Sequence, residues 1–106
     1  MPKKHLLFVC SSNLDRSPAA ESLFEDSERF EARSCGINGH SEVVLTKELV
    51  DWADVIFAMQ DEHKGKILEF NPKARVLVLG IANDYCRYDP ELMELLKGRL
   101  AGYLGR

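Results

Sequence analysis

Short apolar runs alternate with amphipathic stretches along the chain. Leu6-Leu7-Phe8-Val9 is wholly apolar and of strand length, the pattern of a strand buried on both faces. A polar loop follows. Ser17-Pro18 then opens a helix to about Glu28, serine suiting the N-cap and proline the first helical position. Ala20, Leu23 and Phe24 give this helix an apolar side. Phe30 to Ser34 alternates weakly and reads as a second strand, followed by a turn-rich loop from Gly36 to Gly39. Thr46 caps a short helix through about Ala53, with Leu49, Val50 and Trp52 apolar and Trp52 assigned to the core. Val55 to Met59 is another buried-strand run. Asp61 to Phe70 is a charged helix closed by Asn71-Pro72, and Ala74 to Leu79 is the fourth strand. Gly80 to Tyr88 is irregular. Asp89-Pro90 starts a last helix carrying Leu92, Met93, Leu96, Leu100 and Tyr103 on one side.

Strand and helix therefore alternate four times. This predicts an α/β fold, with a mostly parallel four-stranded sheet and helices on both faces. Ligands of such sheets lie beyond the carboxyl ends of the strands, where the loop from Cys10 to Ser17 falls.

Length and composition narrow the class. The 106 residues fit one domain, residues 1–106, and can bury a core without disulfides. A net charge of -3 argues against broad nucleic-acid binding, which needs a basic face. No apolar run approaches the roughly 20 residues of a membrane span, and the run after Met1-Pro2-Lys3-Lys4-His5 is too short for a signal-peptide core. A cytoplasmic protein is expected. Cys10, Cys35 and Cys86 are odd in number and widely spaced, which gives neither a disulfide framework nor a zinc pattern. His5, His40 and His63 are scattered, not at metal-ligand spacing, and are read as surface residues. Asp61-Glu62-His63-Lys64 reads as a solvated helix face. No metal or cofactor is expected.

The chemistry concentrates in Cys10-Ser11-Ser12-Asn13-Leu14-Asp15-Arg16-Ser17. Cysteine and arginine are separated by five residues, between a buried strand and a helix start. A loop of that length can wrap a tetrahedral oxyanion with inward backbone N–H groups from Cys10 through Arg16. Arg16 supplies a planar fork for two phosphate oxygens. Cys10 faces this positive field as the candidate thiolate nucleophile, open to a cysteinyl-phosphate intermediate. Ser17 is placed to hydrogen-bond the sulfur, and Asn13 to brace the loop. The plainer reading is a buried cysteine beside a surface arginine in an ordinary strand–helix loop.

CSSNLDRSPAAE, Cys10 through Glu21, resembles the signature of the low-molecular-weight protein tyrosine phosphatases. Arg33-Ser34-Cys35-Gly36 resembles that family's strand ending in a Ser-Ala-Gly turn, and LVDWADVIFAM, Leu49 to Met59, its helix-to-strand segment. The likeness covers most of the chain and is nearest to the short, truncated members. It implies a flavodoxin-like three-layer sandwich and two-step phosphomonoester hydrolysis without metal. The substrate would be a phosphotyrosine protein or small phosphomonoester. Cys10 becomes the nucleophile, Arg16 the clamp, Ser17 the thiolate partner and Asn13 the brace. Two positions depart from the pattern. Ser12 stands where a glycine is usual, and Asp15 where a second cysteine is usual. Asp15 brings a carboxylate towards a dianion site, which weakens binding unless it pairs with Arg16 or points away.

The reaction also needs a general acid. The family's Asp-Pro-Tyr segment is matched locally by Asn83-Asp84-Tyr85. Asp84 is preferred as the acid, ahead of Asp89 and of no acid at all, since Asp89-Pro90 reads better as a helix cap. Tyr85 and Tyr88 either wall the pocket mouth or are partly buried surface aromatics. Cys35 reads as a small core residue, and Cys86 as an unpaired loop cysteine or a redox partner of Cys10. Two further functions fit the loop. One is a non-catalytic or weakly active phosphate or phosphoprotein-binding module. The other is an arsenate-reductase-like thiol enzyme, which needs two resolving cysteines where only Cys86 is available.

Overall fold

The computed structural model describes residues 3–82 and 84–104. Four strands, β1 (Lys4–Cys10), β2 (Phe30–Gly36), β3 (Val55–Ala58) and β4 (Val76–Val78), alternate with helices α1 (Arg16–Ser22), α2 (Lys47–Trp52), α3 (Asp61–Phe70) and α4 (Pro90–Leu104). The sheet order is β2-β1-β3-β4, and every pairing is parallel. This is the flavodoxin-like arrangement expected.

Strand β1 is central and buried on both faces, so alternate side chains feed two cores. Leu6, Phe8 and Cys10 pack with Ala19 and Ala20 of α1 and Leu92, Leu96 and Leu100 of α4. Leu7 and Val9 pack on the opposite side with Val50 of α2 and Ile67 of α3. The chain leaves β1 for β2 on one side and returns to β3 on the other. The loop after Cys10 therefore lies at the point where the strand order reverses, the ligand-binding crevice of such sheets.

Several expected elements differ in extent. Helix α1 begins at Arg16, with Asp15 as its N-cap and Pro18 at the third helical position. Proline costs nothing there, because first-turn N–H groups have no intrahelical partner. Ser17 is thereby freed from capping. The helix ends at Ser22 rather than near Glu28: Leu23 and Phe24 N–H groups bond three residues back. Ser27 Oγ then accepts from the Arg29 and Phe30 N–H groups and turns the chain into β2. Phe24 stacks on Phe8 at 5.8 Å, so its packing competes with further helix. Caps at Thr46, which accepts from Leu49 N–H at 3.2 Å, and Asp89, which accepts from Glu91 N–H at 2.9 Å, stand where expected. Trp52 is only half-buried. It stacks on His5 at 4.3 Å on the rim of the sheet, with the Arg33 guanidinium 4.3 Å from its ring.

Candidate active site

Cys10 ends β1 with its sulfur almost fully buried. Two polar groups converge on it: Ser17 Oγ at 3.0 Å, a bond in which either the hydroxyl or the thiol can donate, and the Asn13 N–H, which donates at 3.2 Å. Asn13 reaches the required position by adopting φ 57°, in the left-handed region that asparagine tolerates better than most residues. Its amide Nδ2 donates to Ser17 Oγ and to Ser34 Oγ, both at 3.0 Å. Ser34 in turn donates to Glu21 Oε1 at 2.5 Å. A buried chain of polar side chains thus braces the loop from behind. Gly36 permits the close approach. A Cβ there would lie 2.3 Å from Ser41 Oγ, 2.8 Å from Asn13 N and 2.9 Å from Ser11 O.

Arg16 is 2% exposed, with its guanidinium held from several sides. Nη1 donates to Gln60 Oε1 at 2.8 Å and to the Ile81 carbonyl at 2.7 Å, and Nη2 to Ser11 Oγ at 3.4 Å. Burial pulls the Arg16 pKa down, opposed by Cys10, Glu62, Asp15 and Asp84. Guanidinium nevertheless stays protonated in proteins. Cys10, Ser11, Ser12, Leu14, Asp15 and Arg16 together line a cavity of about 110 Å³. Asn13 turns its side chain away from this cavity, as a brace does.

Asp15 does not form an ion pair with Arg16 among the described residues. Its carboxylate takes the Arg87 N–H at 3.0 Å, while Arg87 Nε donates to the Leu14 carbonyl at 2.9 Å. These two bonds, both donated by Arg87, tie residue 87 to the nucleophile loop. Asp84 is exposed and close enough for its charge to act on Arg16, whereas the Asp89 carboxylate is engaged as a helix cap. Asn83, the first residue of the segment matched to the family's Asp-Pro-Tyr, lies outside the described residues. Tyr85 packs against the core and Tyr88 is 84% exposed, so neither walls this cavity. A larger cleft of about 500 Å³ includes Asn13, Glu21, Ser34, Arg87 and Tyr88 but neither Cys10 nor Arg16. Cys35 is fully buried, and burial, then the neighbouring Cys10, pushes its thiol pKa up to about 12. Cys86 is free and exposed. Among the described residues, no three His, Cys, Asp or Glu are grouped to hold a metal ion.

No family model matches the chain. It is 32% identical over 94 residues to a protein-arginine-phosphatase of Geobacillus stearothermophilus, in an alignment taking in 66% of this chain. It spans 64% of that relative's length. The fold superposes on the YwlE arginine phosphatase from the same organism with a TM-score of 0.71 and 26% identity, over 96% of this chain and 93% of the other. The low-molecular-weight protein tyrosine phosphatase of T. tengcongensis gives a TM-score of 0.70 at 22% identity, over 96% and 100%. The chain is thus similar in sequence to a protein-arginine-phosphatase, and it shares its fold with a low-molecular-weight protein tyrosine phosphatase. Of the phosphatase signature's two departures, Ser12 is conformationally neutral. Asn13 alone among described non-glycine residues has positive φ, and Ser12 Oγ accepts from Asn38 Nδ2 at 2.9 Å. The other departure, Asp15, gives the loop a hydrogen-bonded link to residue 87.

Two residues of the site escape a reading by motif. Gln60 holds Arg16, and His63 is fully buried rather than on the surface. Its neighbours Asp61, Glu62 and Lys64 are exposed, as expected of a solvated face. The available signal was the four-residue spacing of His63 and Ile67, both buried, which puts the imidazole on the inner stripe of α3. Burial, then the Arg16 charge, pushes the His63 pKa down to about 4, with Glu62 opposing.

Proposed function

We propose that this chain is a cysteine-dependent phosphomonoester hydrolase of the low-molecular-weight protein tyrosine phosphatase type, with residues 1–106 as one such domain. The observation that carries the reading is the Cys10 sulfur on a small cavity. The Ser17 hydroxyl and the Asn13 N–H both reach that sulfur, and Arg16 forms part of the same wall.

The geometry suggests the following sequence. The oxyanion is held by the loop's backbone N–H groups and the guanidinium. The Ser17 hydroxyl has one hydrogen and two acceptors in reach, the Cys10 sulfur at 3.0 Å and the Cys35 carbonyl at 3.3 Å. While Cys10 is a thiol, its S–H donates to Ser17 Oγ. When Cys10 ionises, the Ser17 hydrogen swings to the sulfur. The thiolate attacks phosphorus, the P–O bond breaks, and the leaving oxygen takes a proton from the Asp84 carboxyl. In the second step Asp84 takes a proton from water as the oxygen attacks phosphorus. The P–S bond then breaks and the thiolate returns to Ser17.

Substrates are phosphorylated proteins or small phosphomonoesters, met in the cytoplasm, where three free cysteines persist. The relatives include protein-arginine and protein tyrosine phosphatases, so both phosphoarginine and phosphotyrosine peptides belong in the assay. A second reading, a phosphate-binding module of little activity, is favoured by the Asp15 carboxylate in the cavity wall.

The test is hydrolysis of p-nitrophenyl phosphate. Wild type should turn it over and should be indifferent to chelators, because Arg16 neutralises the phosphate. Cys10→Ser should abolish turnover and retain phosphate binding. Activity surviving Cys10→Ser would exclude the cysteinyl-phosphate route, and phosphate binding without turnover in wild type would favour the module.

A further inference from the structure

His63, like the Cys35 thiol, is a fully buried titratable side chain with no part in the chemistry above. It lies in the first turn of α3, beneath the cavity-lining Ser11. The Gln60 backbone N–H donates to His63 Nδ1 at 3.1 Å. An amide N–H can only donate, so Nδ1 carries the lone pair and the neutral ring holds its hydrogen on Nε2. Nε2 lies 3.1 Å from Ser11 Oγ and therefore donates to it. Arg16 Nη2 is a second donor to the same oxygen at 3.4 Å. With both acceptor positions taken, the hydroxyl hydrogen must point in a third direction. No acceptor among the described residues receives it, and Ser11 faces the cavity.

We propose that His63 is a positioning residue that aims the Ser11 hydroxyl into the cavity as an added hydrogen-bond donor to the bound oxyanion. The proposal rests on reading the cavity as an oxyanion site. The same helical turn supplies Gln60 Oε1 to Arg16 Nη1 at 2.8 Å. One turn of α3 thus sets both the charged and the hydroxyl arm of the cradle. The arrangement requires a neutral imidazole, since a protonated ring has no acceptor for the Gln60 N–H. Burial and the Arg16 charge supply that condition.

The experiment is calorimetric titration of the full chain with orthophosphate, for wild type, His63→Leu, His63→Gln, Ser11→Ala and the doubles with Ser11→Ala. Thermal melts of each accompany the titrations. His63→Leu should weaken binding about 10-fold, the scale of one hydrogen bond to a charged group. His63→Gln, whose amide can still donate to Ser11, should recover much of that loss. Neither should weaken binding further once Ser11 is alanine. Additive losses in the doubles, or wild-type affinity in folded His63→Leu, would overturn the proposal. If His63→Leu does not fold, the Gln series decides. A loss in His63→Gln that persists in the Ser11→Ala background counts against the proposal, and a loss that vanishes there supports it. Orthophosphate binding without hydrolysis by wild type would sink the hydrolase reading alone. No binding by wild type would sink both.

Discussion

The Ser17 hydroxyl sits 3.0 Å from the Cys10 sulfur, with Ser17 at 0% and Cys10 at 3% exposure. Water cannot easily replace a donor in so closed a position. Ser17→Ala should therefore lower kcat for p-nitrophenyl phosphate by roughly 10- to 100-fold, the range for a hydrogen bond to a charged group. Both formation and breakdown of the cysteinyl-phosphate should slow, because the thiolate is nucleophile in one and leaving group in the other. Rapid-quench measurement of the two steps checks this, and a wild-type rate in both would remove Ser17 from the chemistry.

Asp15→Asn keeps an oxygen for the Arg87 N–H but removes a negative charge from the cavity wall. Orthophosphate inhibition should tighten, and iodoacetamide should alkylate Cys10 faster at neutral pH. An unchanged alkylation rate would mean that the carboxylate charge does not reach the sulfur.

Asp84→Asn separates proton donation from binding. Phenyl phosphate, with its poor leaving group, should slow at least 10-fold more than p-nitrophenyl phosphate, which needs little protonation to leave. Equal losses on both substrates would exclude Asp84 as the acid.

His63 makes stability depend on pH. Its pKa falls from 6.5 to about 4 on folding. Between those values the unfolded chain binds a proton that the folded chain refuses, so folding is weakened as pH drops from 6.5 towards 4. The loss approaches about 3 kcal/mol at the low end. Urea midpoints at pH 7, 5 and 4 should fall less steeply in His63→Gln than in wild type. Parallel curves would assign the acid sensitivity to other groups.

The legible parts of this fold are those set by local physics. Leu6 to Val9 had to be apolar throughout because both sheet faces are covered, and Thr46 and Asp89 cap helices through oxygens beside their own backbone. Ser17-Pro18 looked like a cap for the same reason. Its hydroxyl is instead claimed by the Cys10 sulfur and Asn13, contacts set by the tertiary fold. The end of α1 depends on where Phe24 meets Phe8, which periodicity does not encode. Within the site, Cys10 and Arg16 stood out by spacing. Gln60 and His63 did not, because their partners lie 44 and 52 residues away in the chain.

The bond between Arg87 and Asp15 spans 72 positions, and that between Arg16 and the Ile81 carbonyl spans 65. Such distant closures are slow to form, since chain entropy must be lost before the contact is gained. Arg16 and Asp15 are therefore not held in their final positions in a partly folded chain that has only its helices and β1–β2 in place. During refolding, full oxyanion affinity would appear once residues 81 and 87 close on the loop, not with the first compact state. An oxyanion bound there selects the completed fold and stabilises the whole chain by mass action, which makes occupancy of the site a clock for the final folding step.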